Sequence, residues 1–424
     1  MENLPASSLE AITCPACGLL CDDIAIKRDA SGKLQVSKNG CAKSVTFFER
    51  NIQHSTPSIA GQPAALNEAV KRAAELLKNA NQPLFAGLGT EVQGMRQVLS
   101  LADRTGATLD HMNNDSSMRN TLVLQNSGWQ VTTLTEVKNR VDLLLVVGTD
   151  IVSHNPRFFE RNVWNKESMF GQDTSTREVV YLGGQNLNTE AGTSPSGKKP
   201  TVLPCDLARL PEVLTTLNAI IAGKTLLASE VAGIKTADLQ TLAERLKAAK
   251  YSVVAWVSSD LKIAHAELSV QKITEFVIKL NASTRSSGLP LGGSEGDYSV
   301  NQASTWTSGY PTRNRFSRQY PEYDPHHFSA KQLLKNKEAD VMLWISALNP
   351  DKTPPASNIP SIVIGHPNMA AQAAEVFIPV GTAGIDHTGT MFRIDSSVSL
   401  PLSQLRNSDY PSLSQVIAAI EAAL

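Results

Sequence analysis

Four cysteines near the start of the chain form the clearest chemical pattern in this sequence. The chain has five cysteines, and Cys14, Cys17, Cys21 and Cys41 lie within its first 41 residues, in the order Cys-x2-Cys-x3-Cys-x19-Cys. Four thiolates can surround zinc or an iron–sulfur cluster. Three ligands from one short loop and a distant fourth favour a 4Fe–4S cluster, because structural zinc sites usually pair two Cys-x2-Cys units. Zinc and a metal-free group of buried thiols are the alternatives.

Two further features close in sequence could bind a cofactor. Lys43 follows Cys41 by two positions and is either a solvated surface lysine or a charge between the metal and a second cofactor. Gly87 and Gly89 end an apolar run and precede a helical pattern, where free backbone amides can receive a phosphate. The spacing G-x-G-x4-G differs by one residue from the dinucleotide fingerprint, so a glycine turn that closes a parallel strand is the commoner meaning.

The elements that would position these residues indicate an α/β protein. Two short alternating runs around residues 28–32 predict a hairpin that brings the cysteines before and after it together. Apolar runs then alternate with helical patterns, at 83–87, 142–148, 251–257, 341–346, 361–365 and 376–380. Strands of this kind are buried on both faces of a parallel sheet, so we expect Rossmann-like parallel-sheet domains behind a small N-terminal lobe that carries the cysteines.

The predicted organisation has three parts. Residues 1–50 form the cysteine lobe, 51–206 a first α/β domain and 207–424 a second. Within the second, residues 281–330 are rich in Gly, Ser, Tyr, Arg and Pro, and we expect a long irregular loop there. Gly292 and Gly293 open a turn with two carboxylates, for which a solvated conformation is favoured.

Composition excludes several classes of protein. Hydrophobic residues make up 42% of the chain and charged residues 19%, so it can form a packed core. Lys plus Arg number 39 and Asp plus Glu 40, and this near balance offers no basic surface for nucleic acid or an anionic membrane. We find no apolar stretch long enough to span a membrane and no secretory signal at the start, so we expect a cytoplasmic protein. We assign no catalytic residue.

Several segments resemble the B-type subunit of formylmethanofuran dehydrogenase, a branch of the molybdopterin-type oxidoreductases. The opening TCPACGLLCDDI at 13–24 is similar to that subunit's start. The segments GDYSV at 296–300, TWTSGYP at 305–311, FSRQYP at 316–321, VFIP at 376–379 and GTMFRID at 389–395 are similar to its later parts. The resemblance covers nearly the whole chain and implies a molybdopterin-oxidoreductase-like fold within a multi-subunit complex.

The resemblance also implies cofactors and their ligands. In the archaeal enzyme this subunit carries a 4Fe–4S cluster and a tungsten or molybdenum pterin centre that interconverts carbon dioxide and formate. Lys43, the Gly87–Gly89 loop, Gly292, Gly293 and Arg318 would then contact the cofactor, although Arg318 suits an inter-subunit contact equally well. The metal needs a thiolate, yet residues 111–120 contain no cysteine and place Ser116, Ser117 or Met118 at that point. We therefore expect the pterin centre to be absent.

The missing thiolate points to the bacterial relative of the family, the formyltransferase/hydrolase complex. That complex is expected to move a formyl group from tetrahydromethanopterin to methanofuran and release formate, with this chain as a non-redox scaffold. The expected partners are the amidohydrolase (A), formyltransferase (D) and C-type subunits. A redox-active tungsten or molybdenum subunit is the second hypothesis, and a free-standing zinc- or iron–sulfur-binding module is the third.

Overall fold

The computed structural model describes residues 7–371 and 373–424, whose contacts group into two units. Among the described residues, the first unit lies within Met1–Asn114, Gly293–Arg393 and Val398–Leu424, and the second comprises Asp115–Gly292 and Ile394–Ser397. This grouping differs from the sequence boundaries at residues 50 and 206, because the first unit's sheet takes strands from distant parts of the chain. Residues 1–6, where the sequence predicts no secretory signal, lie outside the described residues.

The helices and strands are numbered in chain order. The first part of the chain forms β1 (Ser7–Ile12), β2 (Ile24–Arg28), β3 (Leu34–Lys38), α1 (Ala42–Phe48), β4 (Ser58–Ile59), β5 (Gln62–Pro63), α2 (Leu66–Lys78), β6 (Pro83–Gly89), α3 (Val92–Thr105) and β7 (Thr108–His111). The middle forms α4 (Asn114–Ser127), α5 (Leu134–Arg140), β8 (Leu143–Val147), β9 (Glu178–Leu182), β10 (Thr201–Leu203), α6 (Leu210–Ile221), β11 (Glu230–Val231), β12 (Ile234–Lys235), α7 (Thr236–Ala248), β13 (Tyr251–Val257), α8 (Ala266–Leu280) and β14 (Arg285–Leu291). The last part forms α9 (Asp297–Ser308), β15 (Asn314–Arg315), β16 (Glu322–Tyr323), α10 (Ala330–Lys335), β17 (Val341–Ser346), β18 (Ser361–Gly365), β19 (Val376–Pro379), β20 (Gly389–Phe392), β21 (Ser399–Leu402) and α11 (Leu413–Ala423).

The predicted hairpin is present in the cysteine-bearing lobe. Strands β2 and β3 pair antiparallel, and β1 adds to the other edge of β2. The Asp29 carboxylate closes the turn by accepting hydrogen bonds from the backbone amides of Ser31 (2.8 Å) and Lys33 (3.0 Å). The cysteine loop lies before the hairpin, and Cys41 immediately precedes α1.

A mixed sheet with a parallel centre organises the first unit. Among the described residues its strand order is β16-β15-β7-β6-β17-β18-β19-β4-β5, with β7, β6, β17, β18 and β19 parallel. Every residue of β6 and β17 is buried, as expected for strands covered on both faces. The apolar faces of α2, α3 and α11 pack into the same core. The expected α/β class with parallel sheets is confirmed.

The second unit has its own parallel sheet. Its order is β10-β9-β8-β13-β14 in the described residues, and all four neighbouring pairs are parallel. Helices α6, α7 and α8 contribute buried leucine, isoleucine and valine side chains to the core around β8 and β13. The unit therefore buries its apolar strands by the same alternation of helix and strand that the sequence shows.

Residues 281–330 are more regular than the sequence suggests. They include β14, whose last six residues are buried, and the twelve-residue helix α9. The sequence RSSGLPL of β14 pairs with β13 along its whole length, so backbone pairing stabilises a strand that lacks a strongly apolar pattern. Likewise, α9 has few apolar side chains, but Val300 and Ala303 are buried in the core.

No helix within 7–371 or 373–424 is long and apolar enough to cross a membrane.

Candidate functional site

The candidate site lies at the carboxyl ends of the central strands of the first unit's sheet. The chain runs from β6 to β7 on one side and from β17 through β18 to β19 on the other, so the order reverses between β6 and β17. Open α/β sheets bind ligands at the carboxyl ends of the strands beside such a point. A cavity of about 400 Å³ occupies this place and borders the loop that follows β17.

Three parts of the first unit line this cavity. Pro15 and Ala16 come from the loop between Cys14 and Cys17. The segment of α1 and the residues just beyond it contribute Ala42, Lys43, Thr46, Phe47 and Arg50. The remaining lining residues are Ser294, Glu295, Leu348, Asn349 and Lys352. The cysteine lobe and the loops at the carboxyl ends of the strands thus share one cavity.

The glycine-rich loop before α9 is held in an unusual backbone conformation. Gly293, Glu295 and Gly296 have φ angles of 75°, 56° and 71°. A Cβ atom at Gly296 would lie 2.1 Å from the backbone oxygen of Thr90, so only glycine fits there. Gly18 of the cysteine loop donates its backbone amide to the Gly293 oxygen at 3.0 Å, which fixes this loop against the lobe.

Glu295 is the acidic group of the cavity. Its Oε1 accepts a hydrogen bond from Asn349 Nδ2 at 3.0 Å. Burial raises the pKa of this carboxyl, while Asn349 and the positive charges of Lys352, Arg50 and Lys43 oppose the rise. The turn that the sequence predicts to be solvated is therefore a half-buried loop whose carboxylate lies near basic groups.

His111 supports the backbone of Glu295 from the end of β7. The backbone amide of Asn113 donates to His111 Nδ1 at 3.0 Å, so the proton of the neutral ring is on Nε2 and is donated to the Glu295 oxygen at 3.2 Å. Burial lowers the pKa of His111 to about 4. The ring is neutral near pH 7 and serves as a structural link to the loop.

Asp297 begins α9 directly after this loop. Its carboxylate accepts from the Asn113 side-chain amide at 3.2 Å and from the Tyr298 backbone amide at 2.7 Å. Burial raises the pKa of Asp297 to about 6, and the neighbouring Glu295 charge adds to the rise. Two carboxyl groups with raised pKa values within one short loop are a feature that often marks functional sites.

The cysteine lobe brings thiols together without closing a cage. Cys14, Cys17 and Cys21 are buried, Cys41 is half-buried, and none of the four is paired in a disulfide. Burial raises the pKa of Cys14 well above its usual value, and the charges of the other three thiols raise it further, so the four lie near one another. Within the described ranges, however, no three His, Cys, Asp or Glu side chains are arranged to hold a metal ion. The donor types suit a thiolate-bound metal, but the arrangement seen is not a coordination sphere.

The glycines of β6 have a packing role that the sequence does not reveal. Gly87 has a φ of 78°, and a Cβ atom there would lie 2.6 Å from the Ile345 oxygen of the neighbouring strand. At the start of α3, the Glu91 carboxylate already accepts the Gly94 amide at 2.9 Å. A phosphate at this helix end would meet that carboxylate, so the proposed cofactor role of Gly87 and Gly89 has a close-packing alternative.

The other predicted cofactor residues lie in separate surroundings. Met118 is buried and Ser117 half-buried on α4, and both lie in the second unit. Gly292, in the same unit, exchanges two hydrogen bonds with the Asn155 side chain (2.9 and 2.8 Å).

Arg318, in the first unit, is 65% exposed and forms an ion pair of 3.4 Å with Glu322. Of the residues predicted to bind the cofactor, the structure places only Lys43 in the cavity lining, next to the loop that Gly293 begins.

Sequence reasoning did not single out Arg50, Asn349 or Lys352. The pair Asn349-Pro350, three residues after a buried apolar strand, is a signal that could have indicated a strand-end loop. A second cluster was also missed, at the carboxyl ends of β8 and β13 in the second unit. There His154 Nε2 lies 2.8 Å from Asp260 Oδ1, and the Thr149 hydroxyl donates to Asp260 Oδ2 at 2.6 Å.

Comparison with known proteins identifies the relatives of this chain. No protein-family model matches it. The B-type subunit of the tungsten-containing formylmethanofuran dehydrogenase 2 is 27% identical over 402 residues in Methanocaldococcus jannaschii and 26% identical over 402 residues in Methanococcus maripaludis, in each case covering 91% of both chains. The chain is a homologue of this B-type subunit of formylmethanofuran dehydrogenase.

A bacterial protein is similar over a shorter part of the chain. The B-type subunit of the formyltransferase/hydrolase complex of Methylorubrum extorquens is 28% identical over 339 residues, which are 79% of this chain and 87% of that protein. A chain in the crystal structure of that complex with methylofuran superposes with a TM-score of 0.73 at 27% identity, covering 87% of this chain and 98% of that one. The resemblance predicted from the sequence segments is confirmed, and the crystallised bacterial subunit shares the fold of this chain.

Proposed function

We propose that this chain is the B-type subunit of a formyltransferase/hydrolase complex of the kind solved from Methylorubrum extorquens. The observation that carries the proposal is the match in fold along 87% of this chain and 98% of the crystallised chain. A free-standing metal-binding module would match such a protein only around its cysteines. Transfer of a formyl group from tetrahydromethanopterin to a methanofuran-type carrier, with release of formate, is then the activity of the whole complex.

The role of this chain within the complex is structural and non-redox. Residues 111–120, the segment expected to supply a thiolate to tungsten or molybdenum, contain Ser116, Ser117 and Met118 but no cysteine. A hydroxyl or a thioether is a much poorer ligand for such a metal than a thiolate. Hydrolysis and formyl transfer would belong to the amidohydrolase and formyltransferase subunits, and this chain would hold them together with a C-type subunit in a cytoplasmic complex.

The four N-terminal cysteines are proposed to bind a 4Fe–4S cluster, with zinc as the second candidate. Their proximity and their number support a metal. The described arrangement still lacks a preformed cage, so the thiols would have to converge when the metal enters. No step of the proposed activity passes through this metal.

Purification of the complex through a tag on this chain tests the proposal. We expect amidohydrolase and formyltransferase subunits to copurify, formyl transfer and formate release to be measurable, and tungsten and molybdenum to be absent. The C14S variant should keep these activities, because a scaffold needs the fold of the lobe and not electron transfer. Stoichiometric tungsten or molybdenum with methanofuran-dependent reduction of an electron acceptor would instead establish the redox-active alternative, and isolation of the chain alone would contradict both.

A further inference from the structure

The cavity between the cysteine lobe and the carboxyl ends of the strands has an excess of positive charge. Among its lining residues, Lys43, Arg50 and Lys352 are basic and Glu295 is acidic, so the lining sums to +2 when all four are ionised. The same three cations are the ones that oppose the rise in the Glu295 pKa, which shows that all of them act on one region of the cavity. A charge excess in a concave, partly desolvated place attracts anions more strongly than the same charges on an open surface.

The cavity already contains one carboxylate that belongs to the protein itself. The Glu295 side chain places a carboxylate among the cations and on the amide of Asn349, at 3.0 Å. The backbone at Glu295 has a φ of 56°, a conformation that costs energy for a residue with a side chain, and the His111 ring holds its oxygen at 3.2 Å. The carboxylate is therefore held in position by the surrounding structure.

Apolar walls and the cavity volume indicate an organic ligand rather than a bare ion. Pro15, Phe47 and Leu348 line the cavity beside the charged groups. A volume of about 400 Å³ lies within the range of small-molecule sites, which combine apolar walls with a few fixed polar groups. A ligand that matches the charge and the walls has a short carbon skeleton and two or more negative charges.

We propose that this cavity binds an organic di- or tricarboxylate, held by Arg50, Lys352 and Lys43 beside Glu295 and Asn349. This site needs no metal, no pterin and no thiolate. The inference goes beyond the proposed function, because nothing in the scaffold role requires a carboxylate ligand here.

Titration calorimetry of the purified complex with citrate at constant ionic strength tests this inference. We expect saturable binding that is weakened about threefold or more by Lys352→Ala, which removes one exposed cation from the cavity rim. Glu295→Gln should tighten binding by a similar factor, because it removes the negative charge but keeps an oxygen acceptor for Asn349. Lys71→Ala, at an exposed lysine of α2 that is not in the lining, is the matched control and should leave the Kd unchanged.

Several results would overturn the inference. Equal citrate affinities in the Lys352, Glu295 and Lys71 variants, with unchanged thermal midpoints, would place binding elsewhere. Loss of the citrate signal when sodium chloride replaces other salt at the same ionic strength would reduce the effect to simple anion binding. Inorganic pyrophosphate that competes more tightly than citrate would exclude carboxylate recognition. Failure of citrate to bind while the partner subunits still copurify would reject this site and leave the proposed function intact.

Discussion

Asn349 and Glu295 join the loop after β17 to the glycine-rich loop before α9 through one hydrogen bond of 3.0 Å. The bond crosses the point where the strand order of the first unit's sheet reverses. It gives the half-buried Glu295 carboxylate a neutral donor, while Arg50 and Lys352 supply nearby positive charge. Both partners are fixed by their loops, so this contact reports whether the candidate site is assembled.

Asn349→Ala should lower the free energy of unfolding by about 1–3 kcal/mol near neutral pH, because the half-buried Glu295 carboxylate loses its hydrogen-bond donor. Urea denaturation measures the loss. The Glu295→Gln/Asn349→Ala double variant should be less sensitive to the Asn349 change, since a neutral amide costs less to leave without a donor. Asn358→Ala, in an exposed loop, is the control, and a similar loss in that variant would contradict the assigned role.

Gly296→Ala should destabilise the first unit far more than Gly309→Ala. Both glycines have positive φ angles, 71° and 84°. A Cβ atom at Gly309 meets nothing within 4 Å, so its cost is the backbone strain of about 1–2 kcal/mol. A Cβ atom at Gly296 also collides with the Thr90 oxygen, which adds about 1–3 kcal/mol. Equal denaturation midpoints for the two variants would show that the loop can shift away from Thr90.

Stability should fall as the solution is acidified through the range in which His111 resists protonation. Its pKa is lowered by burial from 6.5 to about 4, so between these values the unfolded chain takes up a proton that the folded chain does not. This group's contribution is fully present above pH 6.5 and is lost progressively towards pH 4, up to about 3 kcal/mol. Urea titrations should therefore show a smaller acid-induced loss for His111→Gln than for the wild type.

The matched control for that titration is His54→Gln, at an exposed histidine of the same unit. It should follow the wild-type curve. If His111→Gln loses as much stability on acidification as the wild type does, the ring is not a buried neutral group, and its link to the Glu295 backbone would need another explanation.

Cys14→Ser should abolish iron or zinc binding, whereas Cys205→Ser should not. Burial raises the pKa of Cys14, and the other three N-terminal cysteines raise it further, so Cys14 belongs to their cluster. Cys205 is a buried thiol of the second unit. Elemental analysis and visible absorption of anaerobically purified protein distinguish a 4Fe–4S cluster from zinc. An equal metal content in both variants would exclude the N-terminal cysteines as ligands.

Much of the architecture follows from local sequence. Apolar runs such as 142–148 and 341–346 are buried strands of parallel sheets, because a strand covered on both faces needs apolar side chains at every position. The Asp29–Gly32 turn likewise produces the predicted hairpin. Local sequence does not predict β14 or α9, because both segments are rich in polar residues. Strand β14 forms by pairing with β13, and α9 forms by packing Val300 and Ala303 on the core.

The sequence by itself determined the four-thiol donor set, the absence of a cysteine at 111–120 and the α/β class, since each depends on residue type and spacing along the chain. Only the tertiary structure decided that Glu295 is half-buried and lies in the same cavity lining as Arg50 and Lys352. Burial and charge neighbours arise from contacts between distant parts of the chain. From sequence alone, a carboxylate in a Gly-Ser turn is therefore expected to be solvated. Only the folded chain shows that Glu295 is partly shielded from water and shares a cavity with basic side chains.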